Sequence, residues 1–186
     1  MRLIHPKGQQ VIRKSLWDTL WIAGPGICLW LALRWIAPIN TVPSASMEPT
    51  IKAGSRVLVN RLYYRGEVNP ERGDVVVFDS GFRMDREPVM FTKRVVAIPG
   101  DRVAIISGEL LVNNRAIAED YATVSNDDFA EVTIPEGHYF LMGDNRNNSY
   151  DSRFLGVISR SQIEGRVSRL LSFDKSFFAS PNQSDG

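Results

Sequence analysis

Residues 16–37 form an apolar stretch near the N-terminus, dominated by Leu, Ile, Trp, Ala and Gly. A helix that crosses a bilayer needs roughly 20 mainly apolar residues, and charges close to its ends, here Asp18 and Arg34, can reach the headgroup region. Tryptophans lie near both ends of the stretch, where indole rings favour the membrane interface. The pattern predicts a single transmembrane anchor over residues 16–37, with a kink at residues 24–26.

Lysine and arginine are concentrated before this stretch, so the positive-inside bias predicts that residues 1–15 are cytoplasmic and that the rest of the chain faces outside. A cleavable signal peptide is disfavoured, because a cut after Ala37 would put Trp35 where a small residue is needed. A buried helix of a soluble protein is disfavoured too, since Asp18 and Arg34 would be hidden without evident partners.

Beyond Pro38 the pattern changes to short runs of β-branched and aromatic residues separated by turn sequences. This predicts a mainly β domain of short antiparallel strands over residues 38–175. The polar segment 118–130 is expected to be a mobile excursion, and residues 176–186 a flexible tail. The predicted strands are residues 56–64, 75–78, 91–98, 103–106, 110–112, 132–134 and 139–142, of which the fourth and fifth form a hairpin.

The overall composition argues against several classes of function. Acidic and basic residues nearly cancel, 21 against 22, and no run of basic residues indicates a nucleic-acid partner. The single cysteine, Cys28, cannot form an internal disulfide. With two histidines, and no Cys or His pair at zinc-ligand spacing, the sequence predicts neither a metal nor another cofactor.

The first chemical motif is the segment from Val42 to Thr50, in which Ser44 and Ser46 flank a small residue and lie between prolines. Prolines restrict the chain, and small residues let another backbone come close. A serine hydroxyl here could therefore be held ready for an incoming peptide. The same composition is also typical of a plain linker.

A serine nucleophile needs a group that accepts its proton. Neither histidine suits, since one precedes the membrane stretch and the other follows a turn. Lys93 lies in a hydrophobic strand, on the same face as Phe91, Val95 and Ala97 by strand alternation, and burial there would favour a neutral amine. The alternative is a strand lysine that reaches water. Lys93 is the best general base that the sequence offers.

A dense polar loop, residues 143–153, follows the apolar run 139–142. Its two Asp and two Arg, with several hydroxyl and amide groups, can build a hydrogen-bonded network that orients a catalytic side chain. They can equally form a solvated turn, and composition alone does not distinguish the two.

Taken in order, these segments resemble the type I signal peptidases, the serine-lysine peptidases that remove signal peptides from exported proteins. The matching motifs are residues 43–50, 73–78, 93–101 and 143–153, and the resemblance extends from the membrane stretch to Arg166. It implies a signal-peptidase-like β fold and cleavage of preprotein signal peptides after small residues, in an Ala-X-Ala pattern. It also implies a bacterial inner membrane enzyme that works as a monomer, without cofactor or nucleic acid.

The resemblance assigns roles to matched positions. Ser46 is the nucleophile and Lys93 its general base, while the Ser44 hydroxyl joins the Ser46 backbone N–H in the oxyanion hole. Ser149 orients the lysine amine. The supporting network consists of Arg94, Asp144, Arg146, Asp151 and Arg153. The substrate-binding positions are Val42, Pro43, Met47, Phe91 and Thr92.

The sequence also departs from the family pattern. Asn147 stands where the loop commonly carries an aspartate, which puts the charge network in doubt, and Ala45 where bacterial members often have glycine. Larger members insert a second β domain in the region matching residues 104–131. Here the insertion is short, so we expect only a hairpin and a loop.

Three alternatives remain open at this stage. One is a dedicated peptidase that matures pilins or conjugation proteins, or a mitochondrial inner-membrane processing enzyme. Another is a self-cleaving repressor of the same serine-lysine type, which the predicted anchor and the lack of a helix-turn-helix pattern disfavour. The third is a membrane-anchored binding domain without activity.

Overall fold

The structure, a computed structural model, describes residues 23–31, 33–66 and 68–171. The chain divides into two compact units, residues 1–38 and 39–186. In the first unit, the described residues from 23 to 36 are helical.

Across the described residues, no helix is both long and apolar enough to cross a membrane. Part of the predicted anchor, residues 16–22 and 32, lies outside the described residues, as do the predicted cytoplasmic segment 1–15 and the predicted tail 176–186.

The second unit is mainly β, as predicted, and all of its strand pairings are antiparallel. A seven-stranded sheet has the order β1-β2-β11-β3-β4-β9-β10, and a four-stranded sheet has the order β7-β6-β5-β8. The strands are β1 (Ile39–Thr41), β2 (Arg56–Asn60), β3 (Val75–Met84), β4 (Glu87–Ala97), β5 (Arg102–Ile106), β6 (Glu109–Val112), β7 (Arg115–Ala116), β8 (Phe129–Thr133), β9 (His138–Met142), β10 (Ile158–Ser159) and β11 (Ile163–Leu171).

Each strand predicted from β-branched and aromatic runs is present, with shifted ends. The largest differences are in β3 and β4, which extend into a long hairpin that turns at Asp85 and Arg86. The expectation of only a hairpin and a loop after residue 101 is wrong. β5 and β6 form the predicted hairpin, but β7 and β8 flank it and complete a small sheet. The two-residue strand β7 is too short to show a periodic pattern in the sequence.

A register shift in β4 divides the core. Val95 packs with Phe78 and Leu141 in one buried cluster, whereas Ala97 packs with Phe140 in another. The shift lies between Val95 and Ala97, where β4 pairs with β9. Strict alternation predicts Ala97 on the same face as Lys93, and this prediction fails at the irregularity. An extra residue in a strand moves the side chains after it to the opposite face of the sheet.

Candidate active site

Ser46 and Lys93 meet although 47 residues separate them in the sequence. Ser46 lies in the 3-10 turn Ala45–Met47 that follows β1, and Lys93 lies in β4, paired with Val76 of β3. The Lys93 Nζ donates a hydrogen bond of 2.6 Å to the Ser46 Oγ. Lys93 is 3% exposed and Ser46 5% exposed, so the pair is shielded from solvent.

The surroundings of Lys93 favour a neutral amine. Burial is the largest influence and lowers the pKa of Lys93 from 10.5 to about 8, while the charges of Asp151 and Asp144 oppose this shift and that of Arg153 adds to it. The Nζ also lies 5.3 Å from the centre of the Phe91 ring. The alternative of a lysine that extends into water does not fit these contacts.

Ser44 approaches the same hydroxyl from another direction. Its Oγ lies 3.0 Å from the Ser46 Oγ, and either oxygen can be the donor. The Ser44 side chain is exposed, whereas Ser46 is buried. A hydroxyl this close to a nucleophile is suitably placed to donate a hydrogen bond to the oxyanion that forms when the nucleophile attacks a carbonyl group.

Ser149 lines the same cavity as Lys93, but the two side chains are not hydrogen-bonded to each other. The Ser149 Oγ is buried and has no hydrogen-bond partner among the described residues. A buried hydroxyl without a partner is uncommon in folded proteins. The role of Ser149 in orienting the lysine amine remains a prediction.

Two ion pairs fix the polar loop next to these side chains. Arg94 donates to both carboxylate oxygens of Asp144, at 2.9 and 2.7 Å. Arg153 does the same with Asp151, at 2.9 Å to each oxygen. Both carboxylates have 0% of their side-chain surface exposed, and such bidentate pairs are geometrically rigid. Asp151 also accepts from the Gly143 backbone N–H at 3.0 Å.

Arg146 pairs with Glu119, at 2.6 Å between Nη1 and Oε2. Its Nε donates to the Gly143 carbonyl oxygen at 3.1 Å. The sequence does not indicate this partner of Arg146, because Glu119 lies in the polar segment 118–130, which resembles a mobile excursion.

The two residues that join the polar loop to the nucleophile turn were not singled out from the sequence. Asn145 donates from its backbone N–H to the Ser46 carbonyl oxygen at 3.1 Å, and from its side chain to the Ala45 carbonyl at 3.3 Å. Gly143 packs so closely that a Cβ there would lie under 3.0 Å from the Ser149 hydroxyl and the Ser46 carbonyl oxygen. Glycine directly after a buried strand was the only available signal.

The segment 118–130 does not behave as a free excursion in the structure. The Thr123 N–H donates to the Asp144 carbonyl oxygen at 2.9 Å, and its hydroxyl accepts from the Arg146 N–H at 2.8 Å. Asn147 adds two bonds, accepting from the Asn126 N–H at 2.8 Å and donating to the Val124 carbonyl at 2.9 Å. The Asn147 side chain thus binds the backbone of segment 118–130 to the polar loop. The ion pairs of the loop do not involve it.

A groove of about 500 Å³ opens beside the Ser46–Lys93 pair. Four of the five predicted substrate-binding residues line it, namely Val42, Pro43, Phe91 and Thr92. Met47 does not, and this prediction is corrected: its side chain is 0% exposed and packs in the core with Val57 and Val59. Successive side chains of a 3-10 turn point about a third of a turn apart, so Met47 can pack in the core while Ser46 lines the groove. Tyr150 and Phe154 form the far wall, with their rings stacked 5.2 Å apart.

Among the described residues, no group of three or more His, Cys, Asp or Glu side chains is arranged to hold a metal ion. The polar side chains that line the groove include the Ser44 and Ser46 hydroxyls and the shielded Lys93 amine.

Comparison with known proteins places the chain in a family. The family described as signal peptidase, peptidase S26, matches residues 16–171. A probable signal peptidase I-2 of Synechocystis sp. is 36% identical over 145 residues, which are 76% of this chain and 66% of that protein. The signal peptidase I of Bacillus amyloliquefaciens is 35% identical over 175 residues, which are 84% of this chain and 86% of that protein.

A crystal structure of a signal peptidase I from Enterococcus faecalis V583 shares 28% identity, with a TM-score of 0.45, and covers 55% of this chain and 100% of that chain. The chain spans just under two thirds of the length of the Synechocystis protein.

Proposed function

Because the chain belongs to the signal peptidase family, peptidase S26, we propose that this serine peptidase cleaves signal peptides from exported preproteins with Ser46 as nucleophile and Lys93 as general base. The observation that carries the proposal is the 2.6 Å contact between the Lys93 Nζ and the Ser46 Oγ, shielded from solvent at the edge of a groove. A nucleophile within hydrogen-bond reach of its base is the geometry that such catalysis needs.

Acylation follows from this contact. With Lys93 neutral, the Ser46 hydroxyl donates to the amine lone pair, and its proton passes to Nζ as Oγ bonds to the scissile carbonyl carbon. The carbonyl oxygen becomes an oxyanion, which the Ser44 hydroxyl and the Ser46 N–H stabilise. The Lys93 ammonium then gives its proton to the leaving amine, so that the mature protein departs and the signal peptide remains as an ester on Ser46.

Deacylation uses the same base a second time. Neutral Lys93 takes a proton from a water molecule, which attacks the ester carbonyl, and the proton returns to the Ser46 Oγ as the bond breaks. Ser149 is proposed to orient the amine through both steps, and the ion pairs of Asp144 and Asp151 to hold the loop that carries it.

The substrate is proposed to lie extended in the groove, with small side chains at the first and third positions before the cut. β1 is an edge strand of the larger sheet, so its free backbone groups can pair with an extended peptide. Val42 and Phe91 line the groove with apolar side chains, and they are proposed to form a shallow apolar site that favours alanine at the first position.

A peptide aldehyde that ends in Ala-X-Ala tests both nucleophile and specificity, because its carbonyl carbon can form a reversible bond with the Ser46 Oγ. We expect competitive inhibition by this compound and loss of inhibition when valine replaces the terminal alanine. A matched aldehyde with valine only at the second position is the control and should inhibit like the first. Equal inhibition by all three compounds would contradict an alanine-specific site.

We also propose that residues 16–37 anchor the chain in the bacterial inner (plasma) membrane, with the N-terminus cytoplasmic and the catalytic domain outside, acting as a monomer. The apolar stretch and its basic flank support this placement. Exposed apolar side chains beside the groove, among them Phe82 and Phe154, are suited to the lipid boundary at which signal peptides emerge.

A dedicated processing peptidase remains the second candidate, since the fold and the site would be the same. The cleavage of several unrelated preproteins, followed by mass spectrometry of the products, separates the two. The general enzyme is expected to cut all that carry an Ala-X-Ala site, whereas activity on a single class of substrate would support a dedicated enzyme.

A further inference from the structure

Glu119 is a buried carboxylate that the proposed reaction does not use. It follows β7, outside the polar loop, and only 7% of its side chain is exposed. One oxygen pairs with Arg146 Nη1 at 2.6 Å, and the other accepts from the Tyr121 hydroxyl at 2.8 Å. Burying a carboxylate is costly unless its oxygens are paired or hydrogen-bonded. Both oxygens of Glu119 have such a partner, which distinguishes this buried cluster from a surface ion pair.

Tyr121 continues this set of contacts to the general-base strand. Its ring lies under the Arg94 guanidinium, 3.9 Å from ring centre to Cζ. Burial and the hydrogen bond to Glu119 raise the pKa of Tyr121, so the phenol keeps its proton and remains a donor. Stacking on an aromatic ring restricts the orientation of a guanidinium. In this orientation, Arg94 donates a hydrogen bond to each carboxylate oxygen of Asp144.

These contacts close into a ring around the start of the polar loop. Glu119 holds Arg146, whose Nε binds the Gly143 carbonyl, and Tyr121 supports Arg94, which holds Asp144. The loop thus fixed at Gly143, Asp144 and Arg146 includes Asn145, which donates to the Ser46 carbonyl oxygen. The position of the nucleophile turn is therefore linked to Glu119 through a short series of direct contacts.

We propose that Glu119 and Tyr121 are positioning residues for catalysis, which hold the polar loop against the nucleophile turn from outside the groove. Neither residue lines the groove, so neither contacts the peptide. Their direct side-chain contacts with the supporting network are those to Arg146 and Arg94, which in turn hold the polar loop. The proposal rests on the function proposed above for Ser46 and Lys93.

The test is the steady-state cleavage of a preprotein by Glu119→Gln in the full chain, at a temperature where circular dichroism shows each variant folded. Glutamine keeps the size and can still accept from Tyr121, but it leaves the buried Arg146 guanidinium without a counter-charge. We expect kcat per folded molecule to fall by about 10-fold or more, with KM within about twofold, because a small displacement of the nucleophile slows chemistry without altering the groove.

Glu131→Gln is the matched control. It removes a carboxylate from β8, where Glu131 makes a 3.6 Å surface pair with Arg102 and is 46% exposed. We expect parental kcat and KM from it. Two substitutions at Tyr121 test the stacking separately. Tyr121→Phe keeps the ring under Arg94 and should retain more activity than Tyr121→Leu, which removes the ring.

The proposal is overturned if folded Glu119→Gln has the kcat of the parent, if KM rises while kcat is kept, or if Phe and Leu at position 121 have the same kcat. Should Glu119→Gln fail to fold, the Tyr121 pair decides alone. Failure here is distinct from failure of the catalytic assignment, which is tested by Ser46→Ala and Lys93→Ala: those variants would remain inactive while Glu119→Gln was fully active.

Discussion

At the scale of single residues, the proposed chemistry depends on the protonation of Lys93. Burial holds its pKa at about 8, so the amine gains its neutral form as the pH rises through that value. We therefore expect kcat/KM to increase along an alkaline limb centred near pH 8 and then to level off. A pH–rate profile from about pH 6 to 10 checks this, with circular dichroism to show that the fold persists.

Lys93→Arg is the companion to that profile. A guanidinium stays charged throughout this range, so the variant should be inactive at every pH although the positive charge is kept. A profile that stayed flat in the parent, or an active arginine variant, would contradict the role of Lys93 as base.

Ser44 supports a second prediction at this scale. Ser44→Ala removes the hydroxyl that lies 3.0 Å from the Ser46 Oγ, and with it one proposed donor to the oxyanion. We expect kcat to fall by about 10²–10³-fold with little change in KM, since the interaction strengthens only in the transition state. Ser44→Thr retains a hydroxyl and serves as the control. A loss confined to KM would instead assign Ser44 to ground-state binding.

The site residues that the sequence indicates are those whose chemical type is informative: hydroxyls between prolines, a lysine among apolar residues, and paired charges in one loop. Met47 was misplaced, because a motif gives spacing but not the direction in which a short turn points each side chain. Glu119 and Tyr121 were overlooked for another reason. Their partners Arg146 and Arg94 are distant in sequence, and an acidic, polar segment resembles a solvated one until the fold brings those cations to it.

At the scale of elements, the end of β9 and the nucleophile turn touch at Gly143. In Gly143→Ala the new methyl group would meet the Ser149 hydroxyl and the Ser46 carbonyl oxygen, so the loop must move away from the turn. We expect a loss of about 1–3 kcal/mol in the free energy of unfolding and at least a 10-fold fall in kcat. Thermal unfolding and cleavage assays on the same preparation measure the two effects.

Gly137→Ala provides the comparison for that variant. Gly137 has a φ of 69°, so alanine there is strained by about 1–2 kcal/mol, but its Cβ meets nothing within 4 Å. This variant should lose stability and keep kcat. If Gly143→Ala lost activity only to the extent that Gly137→Ala did, the close contact at Gly143 would have no special part in catalysis.

Periodicity and turn sequences predict which segments form strands and which neighbouring strands pair through a short turn. The hairpin β5–β6 was predicted from two short apolar runs joined by a turn, and these strands pair as expected. The extension of β3 and β4 into a paired hairpin was not predicted, since β3 is buried at three consecutive residues, 76–78, and shows no alternation there. The register shift after Val95 and the pairing of β11 between β2 and β3 were not predictable, because both depend on contacts between distant parts of the chain.

At the scale of the whole molecule, the proposed anchor makes a separate prediction. The full chain should remain with the membrane fraction after a carbonate wash, because an apolar span is held by lipid and not by charge. A chain that begins at Ile39, where the second compact unit starts, should be released by the same wash. Recovery of the full chain in the supernatant would contradict an anchor over residues 16–37.

The central claim is that Ser46 and Lys93 together cleave preproteins, and one assay tests it directly. The parent, Ser46→Ala and Lys93→Ala are incubated with a preprotein that carries an Ala-X-Ala site, and the products are identified by mass spectrometry. We predict a single cut after the second alanine by the parent, and rates near background for both variants although both remain folded. Processing by either variant at the parental rate would contradict the claim.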